Sequence, residues 1–260
     1  NDAKAALQAW GDALARQGRL YIDQIRPILT SSEELIQLVR RGEIDALGVT
    51  IPELLQVRQY LDQEVLIVDE SAVKGGDPYV LLTASESGVK SLEDLRGHSL
   101  VLHRGPRASM AEVWLTTLLA EAKLPLPELF FGRVMDNNNI SRGVVLPVFF
   151  RQADACVVTS RGFSTMCELN PQLAKKLKVM AVSPPIVTGV VVFHKDCSAV
   201  RRDTLKSALL ELHQTVFGKQ ALTLFQTGRL VATGKSILQN ATELMASYEK
   251  IRGRQNVGRR

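Results

Sequence analysis

The chain has 260 residues, of which 45% are hydrophobic, 23% charged and only 5% aromatic, and its net charge is +5. This composition is typical of a folded globular protein and excludes a disordered or fibrous chain. The few aromatic residues argue against a stacking surface for single-stranded nucleic acid. No apolar run reaches the about 20 residues that a membrane span needs.

Basic residues near the C-terminus carry part of the excess charge, and they predict a solvated tail rather than a nucleic-acid-binding arm. They are Lys250, Arg252, Arg254, Arg259 and Arg260. The cysteines and histidines show no CxxC, HxH or HxxxH spacing, so we expect no metal and no cofactor.

Strands and helices are predicted to alternate along the chain. Apolar runs predict strands at Leu20–Ile25, Ile44–Val49, Val65–Val68, Tyr79–Thr83, Ser99–His103, Leu129–Met135, Ala153–Val158, Leu177–Val182 and Gly189–His194. Periodic segments predict helices at Ala3–Arg16, from Ser31, from Thr50, from Ser109 to about Lys123, at Ile140–Arg151, at Ser160–Leu169, from Ser198, from Gly218, and at Gly234–Ile251. Glutamates three residues after Ser31, Thr50 and Ser109 are typical of capping boxes.

This alternation predicts an α/β fold with mainly parallel sheets. Such folds usually begin with a strand, so we expect a first strand ahead of Asn1.

An internal near-repeat relates residues 41–50 (RGEIDALGVT) to residues 150–159 (FRQADACVVT). Each copy follows a predicted helix and precedes another, which favours two similar α/β lobes over coincidence. We expect residues 1–82 and 190–260 to form one lobe and residues 83–189 the other. Thr50 and Thr159 are then expected to face each other from the two lobes.

Ligands in open α/β sheets bind beyond the carboxyl ends of the strands, where helix N-termini favour anions. The turn that begins at His103 places this histidine, Arg104, Arg107 and Ser109 at such a point as ligand-binding candidates. An arginine fork suits an oxyanion or a carboxylate. The alternative is a surface turn with solvated arginines and an ordinary helix cap. Thr50, and Thr159 with its neighbour Ser160, have two alternative roles that the sequence does not distinguish: contact with a ligand, or simple capping of the next helix.

Catalysis has little support, because neither a GxSxG elbow nor a Walker or GxGxxG loop is present. His103 would serve as a base, but no nucleophile lies at a motif spacing from it. Asn138 and Asn139 belong to a DNNN run that either binds a ligand or caps the next helix.

The order of five segments carries a family resemblance. They are the Ser31–Thr50 helix and strand with its GEIDA run, GDPY at 76–79, SLEDLRG at 91–97, the loop after His103, and QADA at 152–155. Together they resemble the phosphate-, phosphite- and phosphonate-type substrate-binding proteins of ABC transporters, which have the type II periplasmic binding fold.

The resemblance implies two lobes joined by crossing strands, with a small anion trapped between them by hinge closure. It implies that Tyr79 supplies the family's aromatic contact and that Ser109 keeps the anion-gripping role of the loop. Asn138 and Asn139 stand where the family often has a Ser-His pair.

The sequence leaves three alternative functions open. The first is a monomeric, non-enzymatic binding protein that delivers a small anion to a membrane permease. The second is the sensor domain of a membrane signalling protein with the same fold, and the third is a hydrolase or lyase using His103. The resemblance places the protein in the periplasm, either free or membrane-anchored.

Overall fold

The computed structural model describes residues 2–17, 28, 30–74, 76–224 and 227–257. The strands are β1 (Ala46–Thr50), β2 (Leu61–Asp69), β3 (Tyr79–Ala84), β4 (Ser99–His103), β5 (Arg133–Asn137), β6 (Ala155–Thr159), β7 (Leu177–Val182), β8 (Gly189–His194) and β9 (Leu230–Thr233). The helices are α1 (Asp2–Gln17), α2 (Ser32–Arg40), α3 (Ile51–Val57), α4 (Glu70–Val73), α5 (Ala111–Glu121), α6 (Pro127–Phe130), α7 (Leu146–Phe149), α8 (Ser160–Leu169), α9 (Gln172–Lys176), α10 (Ala199–Glu211), α11 (Val216–Leu224) and α12 (Gln239–Val257). The predicted strand at Leu20–Ile25 lies outside the described residues.

Two predicted elements take a different form. The predicted strand at Leu129–Met135 is replaced by α6 and β5, because Pro127 stands at the start of α6, where proline favours a helical turn. The predicted helix at Ile140–Arg151 is a π-helical segment, Ile140–Val145, followed by α7. Gly143 in that segment lies against the Asn137 side chain, which a Cβ would meet at 2.0 Å.

The chain divides into two compact units. Unit 1 comprises Asn1–Lys74 and Gly189–Ile237, and unit 2 comprises Gly75–Thr188 and Leu238–Arg260. The division differs from the predicted lobes at two places. All of β3 belongs to unit 2, since both of its edges are hydrogen-bonded to strands of that unit. Residues 238–260 also belong to unit 2, so the chain passes between the units three times rather than twice.

The sheet of unit 2 has the order β5-β4-β6-β3-β7, and that of unit 1 has the order β1-β8-β2-β9. Strands β5 and β6 run parallel to β4, whereas β3 runs antiparallel to β6 and β7. In unit 1, β8 runs antiparallel to both β1 and β2. The α/β class is therefore confirmed, and the described pairing is mixed rather than mainly parallel. Strand β8 in unit 1 and strand β3 in unit 2 each lie between two neighbours that both run in the opposite direction, and we call each of them the returning strand of its unit.

The near-repeat corresponds to equivalent positions in the two sheets. Thr50, the last residue of β1, pairs with Gly189, the first residue of the returning strand β8. Thr159, the last residue of β6, pairs with Tyr79, the first residue of the returning strand β3. A helix begins at the residue after each threonine. The two units therefore share one strand-to-helix turn, as the repeat predicts.

Burial explains why the central strands of unit 2 are apolar throughout. Every residue of β3 and β6 is buried, because helices cover both faces of this sheet. The unit 2 core joins these strands to the segment before β6 through Val144, Val145 and Val148. Unit 1 has its own core, in which α1, α10 and α11 pack around Ile67 and Phe193.

Candidate functional site

Polar residues lie in a row at one edge of the unit 2 sheet, where β5, β4 and β6 end. The register places Asn137 of β5 beside His103 of β4, and Thr159 of β6 beside Tyr79, the first residue of β3. Since β4 and β6 pair in parallel, with Leu102 opposite Val157, their carboxyl ends lie next to each other. We call this row and the loops that follow it the polar edge.

The loop after β4 is fixed to the polar edge at both ends. The Arg104 N–H donates to the Asn137 carbonyl at 2.8 Å, which extends the β4–β5 ladder by one bond. Residues Pro106–Ala108 form a single 3-10 turn. The Tyr79 hydroxyl donates to the Arg107 carbonyl at 2.9 Å and accepts from the Met110 N–H at 3.3 Å.

Tyr79 is buried and holds this loop through its hydroxyl, and its expected ligand contact stays a prediction. The side chain is 0% exposed, and its ring stacks on Trp114 of α5 with the centroids 6.2 Å apart. Burial raises the pKa of the Tyr79 phenol well above its usual range. The hydroxyl therefore donates its only proton to the Arg107 carbonyl and ties the loop to the start of β3.

Arg104 is held by two carboxylates, and its expected contact with an oxyanion stays a prediction. Its Nη2 lies 2.9 Å from Glu112 Oε2 and its Nε lies 2.9 Å from Asp136 Oδ1. These two carboxylates offset the positive charge of the guanidinium and bind N–H groups on two of its edges. Neither reading of this loop from the sequence included the pairing, since the partners come from α5 and β5.

Ser109 does not cap α5, contrary to expectation. The residue before that helix is Met110, and no side chain caps its first turn. The Ser109 hydroxyl instead donates to the Thr188 carbonyl at 3.4 Å. The Glu112 carboxylate pairs with Arg104 and Arg252 and does not complete a capping box. A turn of 3-10 helix before α5 moves Ser109 out of the capping position.

His103 ends β4 and is half-buried. Its Nδ1 is buried and has no hydrogen-bond partner among the residues that the structure describes. Burial lowers the pKa of the His103 imidazole, and a hydrogen bond with the backbone of Asn138 offsets only part of that effect. Burial thus favours the neutral ring, whose Nδ1 is enclosed at the polar edge.

We expect His103 to make the fold less stable in acid. A histidine whose pKa is lowered by folding binds fewer protons than in the unfolded chain, so stability falls as the pH drops below about 6.5. The free energy of unfolding, measured by urea denaturation on either side of this pH, should fall less steeply in His103→Gln. Equal slopes for the two proteins would contradict this assignment.

The asparagine run forms a turn that caps the segment after β5. The Asn137 Oδ1 accepts from the Asn139 N–H at 2.8 Å, and the Asn139 Oδ1 accepts from the Arg142 N–H at 2.8 Å. Asn139 therefore caps the π-helical segment, as one of the two readings of this run predicted. Asn138 stands between them, and its backbone contacts His103.

The N-terminus of α8 is satisfied by groups of unit 2 itself. The Thr159 Oγ1 accepts from the Gly162 N–H at 3.2 Å, so Thr159 caps the helix. The Ser160 N–H donates to the Pro78 carbonyl at 2.7 Å, and the Arg161 N–H donates to Asp77 Oδ1 at 2.9 Å. A carboxylate thus already sits at the positive end of this helix, where its charge is favourable.

These caps predict different costs of two similar substitutions. Thr159→Ala removes the cap of α8 and should lower the free energy of unfolding by about 1 kcal/mol. Ser109→Ala removes only one long hydrogen bond and should cost clearly less. Urea unfolding of the two variants side by side measures both values. Equal losses would show that Ser109 caps its helix after all.

Thr50 occupies the equivalent turn in unit 1. Its N–H and its hydroxyl both donate to Glu53 Oε2, at 2.9 and 2.7 Å, and the predicted capping box is formed. The Ser32 hydroxyl donates to the other oxygen of Glu53 at 2.6 Å. Thr50 is thus engaged in joining α2 to α3.

Some residues that shape the polar edge were missed from the sequence. Asp77 belongs to the quoted GDPY run, but its partner Arg161 lies 84 residues away, and no local pattern relates the two. Arg252 was expected in a solvated tail, yet it lies in α12 and pairs with Glu112 and Glu128. Only long-range folding brings these charges together.

Metal-ligand clusters, thiols and membrane-spanning helices also bear on function. Within it, no group of three or more histidine, cysteine, aspartate or glutamate side chains could hold a metal ion. Burial raises the pKa of the Cys156 thiol far above neutrality, so this mid-strand cysteine is a poor nucleophile. No helix within the described ranges is long and apolar enough to cross a membrane.

Solved structures share this fold at low sequence identity. A binding-protein component of a phosphonate ABC transporter from Pseudomonas aeruginosa is 17% identical, with a TM-score of 0.68 over 96% of this chain and 82% of that one. A Xanthomonas citri protein bound to ATP is 17% identical, with a TM-score of 0.71 over 95% and 94%. PhnD1 of Prochlorococcus marinus in complex with methylphosphonate is 14% identical, with a TM-score of 0.69 over 96% and 94%.

A search of curated protein sequences found no match. The family described as "ABC transporter, phosphonate, periplasmic substrate-binding protein" matches residues 1–237. This match covers both units up to the start of α12, and it agrees with the resemblance that the five sequence segments carry. The chain belongs to the family of periplasmic substrate-binding proteins of phosphonate ABC transporters.

Proposed function

We propose that the protein binds a small solute bearing an oxyanion, of the phosphonate or phosphate class, at the polar edge of unit 2. In this proposal it delivers the solute to the membrane permease of an ABC transporter. It acts as a monomer in the periplasm and performs no catalytic step on its ligand.

The observation that carries this proposal is the convergence of three loops at one edge of the sheet. Strands β5, β4 and β6 run in one direction and end together, and ligands of α/β sheets bind beyond such ends. The loops bring a histidine, an arginine, hydroxyl groups and amides to the same edge. These are the donors that replace water around a desolvated oxyanion.

The proposal assigns separate roles to the residues of the polar edge. Arg107 supplies the positive charge that meets the anion, and His103 lines the site. The Ser109 backbone N–H and the side chains of Asn138 and Ser160 supply neutral donors. The remaining predicted contacts hold the loops in place. At the polar edge these are Tyr79, Arg104, Asn139 and Thr159, whose side chains form caps, ion pairs or buried hydrogen bonds. Thr50 belongs to unit 1, where it pairs with Glu53 at the start of α3.

The known ligands of structurally similar proteins favour the anionic class. PhnD1 of Prochlorococcus marinus was solved with methylphosphonate, and the Xanthomonas citri protein was solved with chloride and with ATP. All three ligands are anions. The buried, high-pKa thiol of Cys156 and the scattered histidines favour a binding role over a catalytic one.

Calorimetric titration with methylphosphonate, phosphate, phosphite and sulfate tests the proposal, with glucose as a neutral control. A ligand present at 100 times its Kd adds about 2.7 kcal/mol of stability, so thermal shift provides a parallel measurement. We expect at least one phosphorus oxyanion to bind and glucose not to bind. Binding of the sugar alone, or of no oxyanion, would refute the proposal.

A matched pair of histidine variants locates the binding residues. His103→Ala should weaken oxyanion binding, whereas His98→Ala should not, because His98 precedes β4 and pairs with Asp154 at the other end of the strand. An equal effect of both substitutions would place the ligand away from the polar edge.

A further inference from the structure

We propose that Arg252 of α12 is a positioning residue for the ligand. Through Glu112 and Arg104, it holds the loop after β4 in the conformation that binds. This inference rests on the proposed function, since it concerns the same loop, and it adds a residue that lies outside the residues that match the family. The members of the ion-pair network are Glu128, Arg252, Glu112, Arg104 and Asp136.

Arg252 lies between two carboxylates and an aromatic ring. Its Nη1 pairs with Glu128, its Nη2 lies 3.4 Å from Glu112 Oε1, and its guanidinium carbon lies 5.5 Å from the centroid of the Tyr248 ring. The side chain is 30% exposed, and its Nε is buried without a hydrogen-bond partner in the described structure. Such a partly buried, stacked guanidinium has a defined orientation.

Glu112 connects the two arginines, because each of its oxygens faces a different one. Oε1 faces Arg252, whereas Oε2 lies 2.9 Å from Arg104 Nη2. Glu112 stands in the first turn of α5, and that helix follows the loop directly. A change at Arg252 therefore acts on both ends of the loop, through Arg104 and through the start of α5.

Charge balance gives the network its sensitivity to Arg252. Three carboxylates, those of Glu128, Glu112 and Asp136, face two guanidinium groups. Without Arg252, Glu128 loses this partner, and Glu112 and Asp136 share Arg104 alone. Glu112 is then held from one side only, which favours movement of Glu112 or Arg104. The interaction free energy between contacting charges in such a network is commonly large enough to change a conformational equilibrium several-fold.

The experiment compares Arg252→Gln with Lys250→Gln. Both substitutions remove one positive charge from α12, but Lys250 is exposed and lies outside the network. Hydrogen exchange of the backbone amides of residues 104–110 reports the loop directly. Calorimetric titration with methylphosphonate and with phosphate reports binding.

We expect about five-fold faster exchange of the loop amides and about five-fold weaker oxyanion binding in Arg252→Gln, with neither change in Lys250→Gln. Unchanged exchange in Arg252→Gln would overturn the inference, and so would faster exchange with unchanged affinity. If the unsubstituted protein bound no oxyanion, the proposed function would fail, while the exchange measurement would still decide whether Arg252 holds the loop.

Two further variants separate positioning from general stabilisation of α12. Glu128→Gln removes the other partner of Arg252 and should leave loop exchange nearly unchanged. In a Glu112→Gln background, Arg252→Gln should have no further effect on the loop, because the connection is already broken. Additive effects of the two substitutions would show that Arg252 acts by another route, and would refute its action through Glu112.

Discussion

Replacing Tyr79 by alanine is expected to lower the free energy of unfolding by about 4 kcal/mol and to abolish oxyanion binding. Tyr79 is fully buried and stacks on Trp114, so the substitution leaves a large cavity under the polar edge. It also frees the Arg107 carbonyl and the Met110 N–H from their partner. Urea unfolding and calorimetric titration with methylphosphonate measure the two losses.

Tyr79→Phe is the matched control, because it keeps the ring and removes only the hydroxyl. We expect a loss of about 1–3 kcal/mol from the two unpaired backbone groups, and weaker binding although the ring packing is retained. If phenylalanine preserved both stability and affinity, the hydroxyl would not hold the loop. The assignment of Tyr79 as a positioning residue would then be wrong.

Replacing Arg107 by alanine is expected to weaken oxyanion binding by about ten-fold to a hundred-fold, the range of one charge-assisted hydrogen bond. The expectation rests on the position of Arg107, whose carbonyl the Tyr79 hydroxyl fixes in the middle of the loop. Arg107→Lys keeps the charge but loses the planar fork. Its affinity should therefore lie between those of the unsubstituted protein and Arg107→Ala. Titration with methylphosphonate and phosphate measures all three proteins.

Arg96→Ala serves as the control for loss of positive charge. Arg96 is exposed and pairs with Glu93 ahead of β4, away from the polar edge. Its removal should leave the affinity unchanged. If Arg107→Ala bound oxyanions as tightly as the unsubstituted protein, Arg107 would not contact the ligand, and the loop would act through its neutral donors alone.

Local patterns were sufficient to predict the fold class and many of the elements. Apolar runs predict β3, β4 and β6 because a strand buried on both faces must be apolar at every position. The Ser31 and Thr50 caps are also predictable, since a capping residue and its partner lie three residues apart. The near-repeat similarly indicates the shared strand-to-helix turn before any coordinates are known.

Predictions at the polar edge were less successful, because its side chains are engaged by residues far away in sequence. Ser109 and Glu112 have the spacing of a capping box, but an additional 3-10 turn and two arginines take them out of it. The Asn139 cap was one of two readings, and only the hydrogen bonds of the turn distinguish them.

By itself, the sequence determined that this protein is α/β, has two related units and resembles anion-binding transport proteins, since periodicity, capping and motif order are local properties. Only the tertiary structure decided which charges offset one another. Asp136 and Glu112 offset Arg104, Asp77 meets the start of α8, and Arg252 joins the network from α12. Each of these pairings is between different elements of unit 2. A charge is offset by whatever the fold brings within a few ångströms, and sequence spacing does not encode that distance.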